Sequence, residues 1–188
     1  MNDLQTFCNI LRSRRSLRDF ADKRVSEEIL LCLRQAALSA PVAGGRQDVS
    51  CLFINDKSVI ATWAAKARLA WQEKLDNSSA FIKEEMGAYI RNFIWFSHAP
   101  VLAVMTVKQA PLFWTGLMQE KAALIFGGET SAAMAAQNLL LAAHMAGLAA
   151  CPLSGPLIIA DDIKRDLNLT RRTIVLLIAL GWPQERLR

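Results

Sequence analysis

Histidine is scarce in this chain: 188 residues hold two, His98 and His144. They lie far apart, and neither has a second ligand-type residue at a helical spacing, so metal catalysis is not expected. His144 sits in an apolar stretch and reads as a satisfied core or interface histidine. The four cysteines, Cys8, Cys32, Cys51 and Cys151, show no CxxC spacing. Free thiols are expected, all four packed as small hydrophobes in a reducing compartment. No GxSxG marks a nucleophilic serine. Phosphate-loop signatures are missing too, and Gly44-Gly45 and Gly127-Gly128 read as isolated turns. Charge of one sign is not strongly in excess: 22 Lys and Arg against 17 Asp and Glu leave +5. So modest and dispersed a surplus suits an anionic ligand better than a dedicated nucleic-acid module.

Long hydrophobic runs are also absent. The most apolar segment, Ser131 to Cys151, contains Gln137, Asn138 and His144 and is broken by Gly147. A buried helix fits it better than a membrane span. Thr173 to Trp182 is too short to cross a bilayer, and Met1 to Arg12 lacks the continuous apolar run of an export leader. No membrane association is expected, and the expected location is cytoplasmic.

What is present is a chain with 53% apolar and 21% charged residues, rich enough to bury a core and sized for one domain over 1–188. Asp3 to Arg12 reads as an amphipathic helix with Leu4, Phe7, Cys8 and Leu11 on one face. Ser26 is an N-cap candidate, with Glu27 and Glu28 in the dipole-favoured first turn, and Pro41 stops the helix begun there. Pro41 to Gln47 reads as a loop and Ser50 to Asn55 as a strand. Asp56 to about Ser97 is helical, parted near Asn77-Ser78-Ser79. Ala99 to Val107 reads as a buried strand. Gln109 to Phe126 is ambiguous, with loop then helix the favoured reading. Ser131 to Ala146 is a helix apolar nearly all round, preceded by Gly127-Gly128 and stopped by Gly147. Ala149 to Leu153 is a short strand, Asp161 to Leu167 a short helix and Arg172 to Gly181 a strand. Strands separated by helices leave α/β and α+β open, with about four strands.

One cluster carries chemistry. Arg14, Arg15 and Arg18 flank Ser16 between two helices. Guanidiniums bind phosphate through bidentate, charge-assisted hydrogen bonds, and a hydroxyl adds a neutral donor. A run of arginines after a helix is more often a solvated face, so the cluster gains meaning only from its place among other motifs.

Arg14 to Phe20 (RRSLRDF), then Val25 and the helix running into Ala40-Pro41, resembles the opening of the nitroreductase family of FMN-dependent flavoproteins. Later landmarks come in order. Ala99-Pro100 opens an apolar strand, Ala135 to Ala143 (AAQNLLLAA) fits that family's central helix, and Gly147-Leu148 leads into Cys151 to Gly155 (CPLSG). Leu180-Gly181-Trp182-Pro183 resembles its closing strand. The resemblance implies an α+β, three-layer fold: a mostly antiparallel sheet of four to five strands flanked by helices, in one FMN-binding domain over 1–188.

The resemblance also assigns positions. It implies that Arg14 and Ser16, with Arg15 in the same run, hold the FMN phosphate and ribityl chain. Arg18 would approach the N1/O2 edge of the flavin ring, where reduction places negative charge. Pro152, Leu153, Ser154 and Gly155 would lie along the N5 edge, and Arg186 and Arg188 would close over the phosphate. The loop bearing Pro41, Val42, Ala43, Gly45 and Gln47 would come from a second subunit, implying a homodimer with FMN at the interface. Here the loop departs from the family's pattern: side-chain donors are missing at Val42 and Gly45, and Asp48-Val49 replaces a Pro-Trp pair, leaving Gln47, Arg46 and backbone groups. Trp71, Phe113 and Trp114 are candidates for an aromatic residue over the flavin, although packing is the commoner use of each.

The activity so implied is hydride transfer from NADH or NADPH through flavin N5 to a small organic acceptor such as a nitroaromatic or a quinone. It needs no catalytic side chain and no metal. A second reading runs the same cofactor as a dehydrogenase of a peptide-derived ring or cyclic dipeptide. A third, motivated by the altered loop, is a flavin-binding protein without catalysis. A nucleic-acid module fits the ordered landmarks poorly.

Overall fold

The first three helices begin where short polar side chains satisfy their free amides. In a computed structural model that describes residues 2–45, 47–109 and 121–184 (without the side chains of 89, 91–93 and 121–126), Asn2 caps α1 (Asp3–Ser13), Ser26 caps α2 (Glu27–Leu38) and Asp56 caps α3 (Lys57–Asp76). Next come α4 (Ala80–Asn92) and a 3-10 segment (Phe93–His98), then α5 (Lys121–Met145), a 3-10 turn (Gly155–Ile159) and α6 (Ala160–Asp166). The expected break at Asn77 to Ser79 is where α3 ends and α4 begins.

Among the described residues four strands form one sheet in the order β1-β2-β4-β3, with every pair antiparallel: β1 (Val49–Ile54), β2 (Val101–Lys108), β3 (Ala149–Leu153) and β4 (Arg172–Gly181). The class is α+β. β2 and β4 are central and read as unbroken apolar runs because both their faces are covered. Val101, Ala103 and Met105 point with Ile178 and Leu180 into one core, against Leu30 and Leu33 of α2 and Ala135 and Leu139 of α5. Leu102 and Val104 point with Leu177 and Ala179 into the other, against Ile60, Trp63 and Ala67 of α3, Phe96, and Ile163 of α6. This alternation reflects the two-residue period of a strand and yields three layers.

Two expectations need correction. α5 does not begin at Ser131; it runs through Gly127-Gly128, which are helical and not a turn. The reason lies in packing: a Cβ on Gly128 would stand 2.9 Å from a Val107 methyl, so a residue without a side chain lets the helix lie against β2. Nor do all four cysteines behave as buried hydrophobes. Cys51 and Cys151 are buried, whereas Cys8 is half-buried and Cys32 exposed. α5 ends as expected at Gly147, which adopts φ +75° while the Leu148 amide donates to Ala143 O at 2.9 Å and the Gly147 amide to His144 O at 3.0 Å.

At the far end of the sheet the polar Thr106, fully buried, is satisfied by Ser50 Oγ at 3.1 Å and by Arg172 Nε, which donates at 2.7 Å. Burial lowers the Arg172 pKa, and the neighbouring Asp48 opposes that shift. α1 is a contrast, for none of its residues is buried: Leu4, Phe7 and Leu11 remain 66%, 51% and 41% exposed. Among the described residues no helix is long and apolar enough to cross a membrane.

Candidate functional site

The basic segment leaves α1 at Ser13 and runs extended along β3, the outer strand of the sheet. The Leu17 amide donates to Ala150 O at 3.2 Å, which fixes Ser16 and Arg18 beside β3. Its start is fixed by a side-chain pair: Ser13 Oγ and His144 Nε2 lie 2.8 Å apart. Ser13 Oγ also lies 3.1 Å from Ile10 O, so the hydroxyl sits between the last turn of α1 and the imidazole. His144 is thus a satisfied histidine at the end of α5, holding α1 and the arginines beyond it.

Arg14, Ser16 and Arg18 converge on the Cys151 thiol. Burial pushes that thiol above its ordinary pKa, while the Arg18 charge, hydrogen bonds with Ser16 and Arg18, and the Arg14 charge pull the other way. Arg14 Nη1 is buried and has no hydrogen-bond partner. An orphaned guanidinium nitrogen is costly and calls for an anion or polar acceptor. Arg15 differs from its neighbours: its guanidinium turns back onto the carbonyls of Arg12 and Arg14, capping α1. Arg18 is exposed and stands 5.7 Å above the Trp95 ring, and Trp95 in turn stacks on Phe20 at 6.2 Å. Nothing in the sequence pattern singled out Trp95, because an indole within a stretch read as helical reads as packing.

The Pro152 to Gly155 segment continues directly from Cys151, so the structure brings it to the arginine cluster. Pro152 and Ser154 are exposed, while Leu153 and Gly155 are buried. Trp71 is tied to this segment. Its indole Nε1 donates to Gly155 O at 3.0 Å.

The C-terminal segment reaches the same neighbourhood. Phe20 and Pro183 form an antiparallel bridge, the Ala21 amide donates to Trp182 O at 2.8 Å, and the Gln184 amide to Asp19 O at 3.4 Å. Trp182 Nε1 donates to Arg24 O at 3.1 Å. Arg186, Arg188, Arg46, Phe113 and Trp114 lie outside the described residues.

The Pro41 to Gln47 loop is held elsewhere. The Ala43 amide donates to Ser131 Oγ at 3.0 Å, and Ser131, buried, donates to Gly127 O at 2.8 Å. Val42 packs on the core, Pro41, Ala43 and Gln47 are exposed, and Gly44 and Gly45 turn the chain with φ +64° and +66°. Ser131 and His144 sit on one helix at 1.5 Å per residue, so the loop and the arginines are anchored about 20 Å apart along α5.

The profile of the nitroreductase family ("Nitroreductase family") matches residues 11–182. The chain belongs to the nitroreductase family. Solved structures carry the same fold. A BluB-like flavoprotein from Clostridium difficile 630 superposes with a TM-score of 0.80 at 23% identity, over 100% of this chain and 93% of that one. A nitroreductase with bound FMN from Bacteroides fragilis NCTC 9343 gives 0.72 at 16% identity, over 100% and 92%. A putative NADH oxidase from Clostridium acetobutylicum gives 0.63 at 25% identity, over 94% and 88%. No curated protein matches the chain. For a nitroreductase-family fold, the arginine cluster lies where an edge strand, α1 and the segment after β4 meet.

Proposed function

We propose that this chain is an FMN-dependent oxidoreductase that takes reducing equivalents from NADH or NADPH and passes them to a small organic acceptor such as a nitroaromatic or a quinone. Membership in the nitroreductase family supports a flavin oxidoreductase in general. The observation that carries the finer reading is the buried, partnerless Nη1 of Arg14 beside Ser16 and Arg18. A phosphate oxygen would satisfy that nitrogen, and the Ser16 hydroxyl would add a neutral donor, so the residues present fit the group.

When bound, FMN supplies the hydride chemistry at its N5. The chain's own residues bind and orient. Arg14 and Ser16 hold the phosphate end. Arg18, steadied over Trp95, places a cation at the N1/O2 edge. Pro152, Leu153, Ser154 and Gly155 would present backbone along the N5 edge, and Arg186 and Arg188 would close over the phosphate. Arg15 contributes through the helix end that it caps.

The site is completed in a homodimer, with residues 1–188 as one domain per subunit. Two observations support this. The Pro41 to Gln47 loop is anchored too far along α5 to serve the arginines of its own chain, which suits a loop that serves its partner. The apolar faces of α1 (Leu4, Phe7, Leu11) and α5 (Met134, Met145) also stand exposed in the single chain.

The visible spectrum of the purified protein tests the reading. A yellow protein that releases FMN on denaturation is expected, bleached rapidly by NADH or NADPH without oxygen. A colourless protein that FMN cannot reconstitute overturns it. A yellow protein that neither nucleotide bleaches points instead to a dehydrogenase of a peptide-derived ring.

A further inference from the structure

One stripe of α3 grips the segment after β3 at three successive points. Trp63, fully buried, donates its indole N–H to Asp166 Oδ2 at 2.8 Å. One turn on, Lys66 Nζ reaches Asp162 Oδ1 at 3.3 Å and Asp166 Oδ2 at 4.0 Å. Two turns on, Trp71 donates to Gly155 O at 3.0 Å. The order runs antiparallel: as α3 advances from 63 to 71, its partners recede from 166 to 155. On the helical wheel Trp63 lies between the other two, so all three fall within one broad side of α3.

The last tie differs from the other two in what it holds. Trp63 and Lys66 grip side chains of α6, which lies in the second core. Trp71 grips a main-chain oxygen at the turn where β3 gives way to the 3-10 segment. The Ser154 side chain makes no capping hydrogen bond there, and Pro156 next door has a fixed φ and no amide hydrogen. Inside the turn the Leu157 amide donates to Ser154 O at 2.9 Å, while the Gly155 carbonyl is held from another element, by Trp71.

We infer that Trp71 is a positioning residue for the flavin site: its indole N–H sets the Gly155 carbonyl, and through it the backbone presented to the N5 edge. This rests on the proposed role of Pro152 to Gly155 along that edge. Trp71 touches no reacting atom. It acts through Gly155, and it serves the site from the side of the sheet opposite α5.

Trp63 provides an internal control, since it makes the same kind of bond from the same stripe at the far end. Trp71→Phe and Trp63→Phe each remove one indole donor and keep a ring. In FMN-loaded protein, Trp71→Phe should displace the flavin's visible absorption maxima and its midpoint potential, with FMN affinity within about threefold of the parent. Trp63→Phe should lower thermal stability and leave both flavin properties in place. Wild-type protein gives a second readout independent of folding defects: on FMN addition the Trp71 indole N–H resonance should shift and the Trp63 resonance should not. If the two variants have the same flavin spectrum and potential, or the Trp71 resonance does not move, Trp71 is structural only and the inference falls. Wild-type protein that binds no FMN overturns the functional reading itself, and the inference with it.

Discussion

Phe20 and Pro183 face each other in an isolated antiparallel bridge, joining the segment just after the arginine cluster to the segment just after β4. Chain ends far apart in sequence thus share one corner of the molecule. A bound anion there would be approached from both, and Arg14 is the cation whose buried nitrogen waits for it.

Arg14→Ala should weaken FMN binding by about 1.5 kcal/mol or more, the value of a charge-assisted hydrogen bond, which is over tenfold in affinity. Arg15→Ala should change it by less than about threefold, because that guanidinium is already committed to the carbonyls of Arg12 and Arg14 at the end of α1. Titration of apoprotein with FMN, followed by flavin fluorescence, checks both. Equal losses would remove the distinction between the two arginines.

Gly181→Ala should cost about 2 kcal/mol or more. A Cβ there would stand 2.7 Å from Pro100 Cδ and 2.9 Å from Phe20 Cδ1, both parts of rings that cannot swing aside cheaply. Because Phe20 stacks on Trp95 and Trp95 underlies Arg18, the clash should also loosen the flavin site. Urea unfolding measures the first effect and FMN affinity the second. A variant as stable as the parent would contradict the packing described.

Ser131→Ala should remove two hydrogen bonds at once, the one it accepts from Ala43 and the one it donates to Gly127. A stability loss of about 1 kcal/mol is expected. Amide exchange at Ala43 should quicken, and FMN affinity should fall if the loop serves the partner's flavin. Unchanged exchange at Ala43 would show that the loop is held by other means.

Burial holds the Cys51 thiol near a pKa of about 12, up from its ordinary 9.0. The unfolded chain ionises first, so this thiol's contribution is fully present below pH 9 and is lost as pH rises from 9 towards 12. Over that interval the slope it adds is about 1.4 kcal/mol per pH unit. Cys51→Ala should flatten the alkaline limb of the stability curve by that amount. Chemical unfolding at pH 8, 9 and 10 provides the comparison, and parallel limbs would refute the assignment.

Much of the fold was legible because local signals agreed with global burial. Ser26 caps, the helical stretch begins at Asp56, Gly147 stops, and β3 and β4 match their expected bounds, each being an apolar run between strong breakers. Gly127-Gly128 misled because glycine pairs mark turns by composition, whereas here both lie inside a helix and close contact with Val107 demands a glycine at 128. The arginine cluster could be located from sequence, but its division of labour could not. Arg18's seat on Trp95 and the Trp71 bond to Gly155 each depend on residues brought together only by the tertiary fold. Cys32 is exposed because its place on α2 faces away from both cores, which a short apolar context does not reveal.

The Leu17 amide bond to Ala150 also protects an edge. β3 pairs with β4 on one side only, and its outer rim, Ala149 to Leu153, is short, uncharged and apolar. A rim of that kind templates sheet extension between molecules unless something guards it. The residues that supply the cations also lie across that rim, so deleting the first 18 residues should produce a protein prone to self-assemble into fibrils as well as one deprived of its anion cradle.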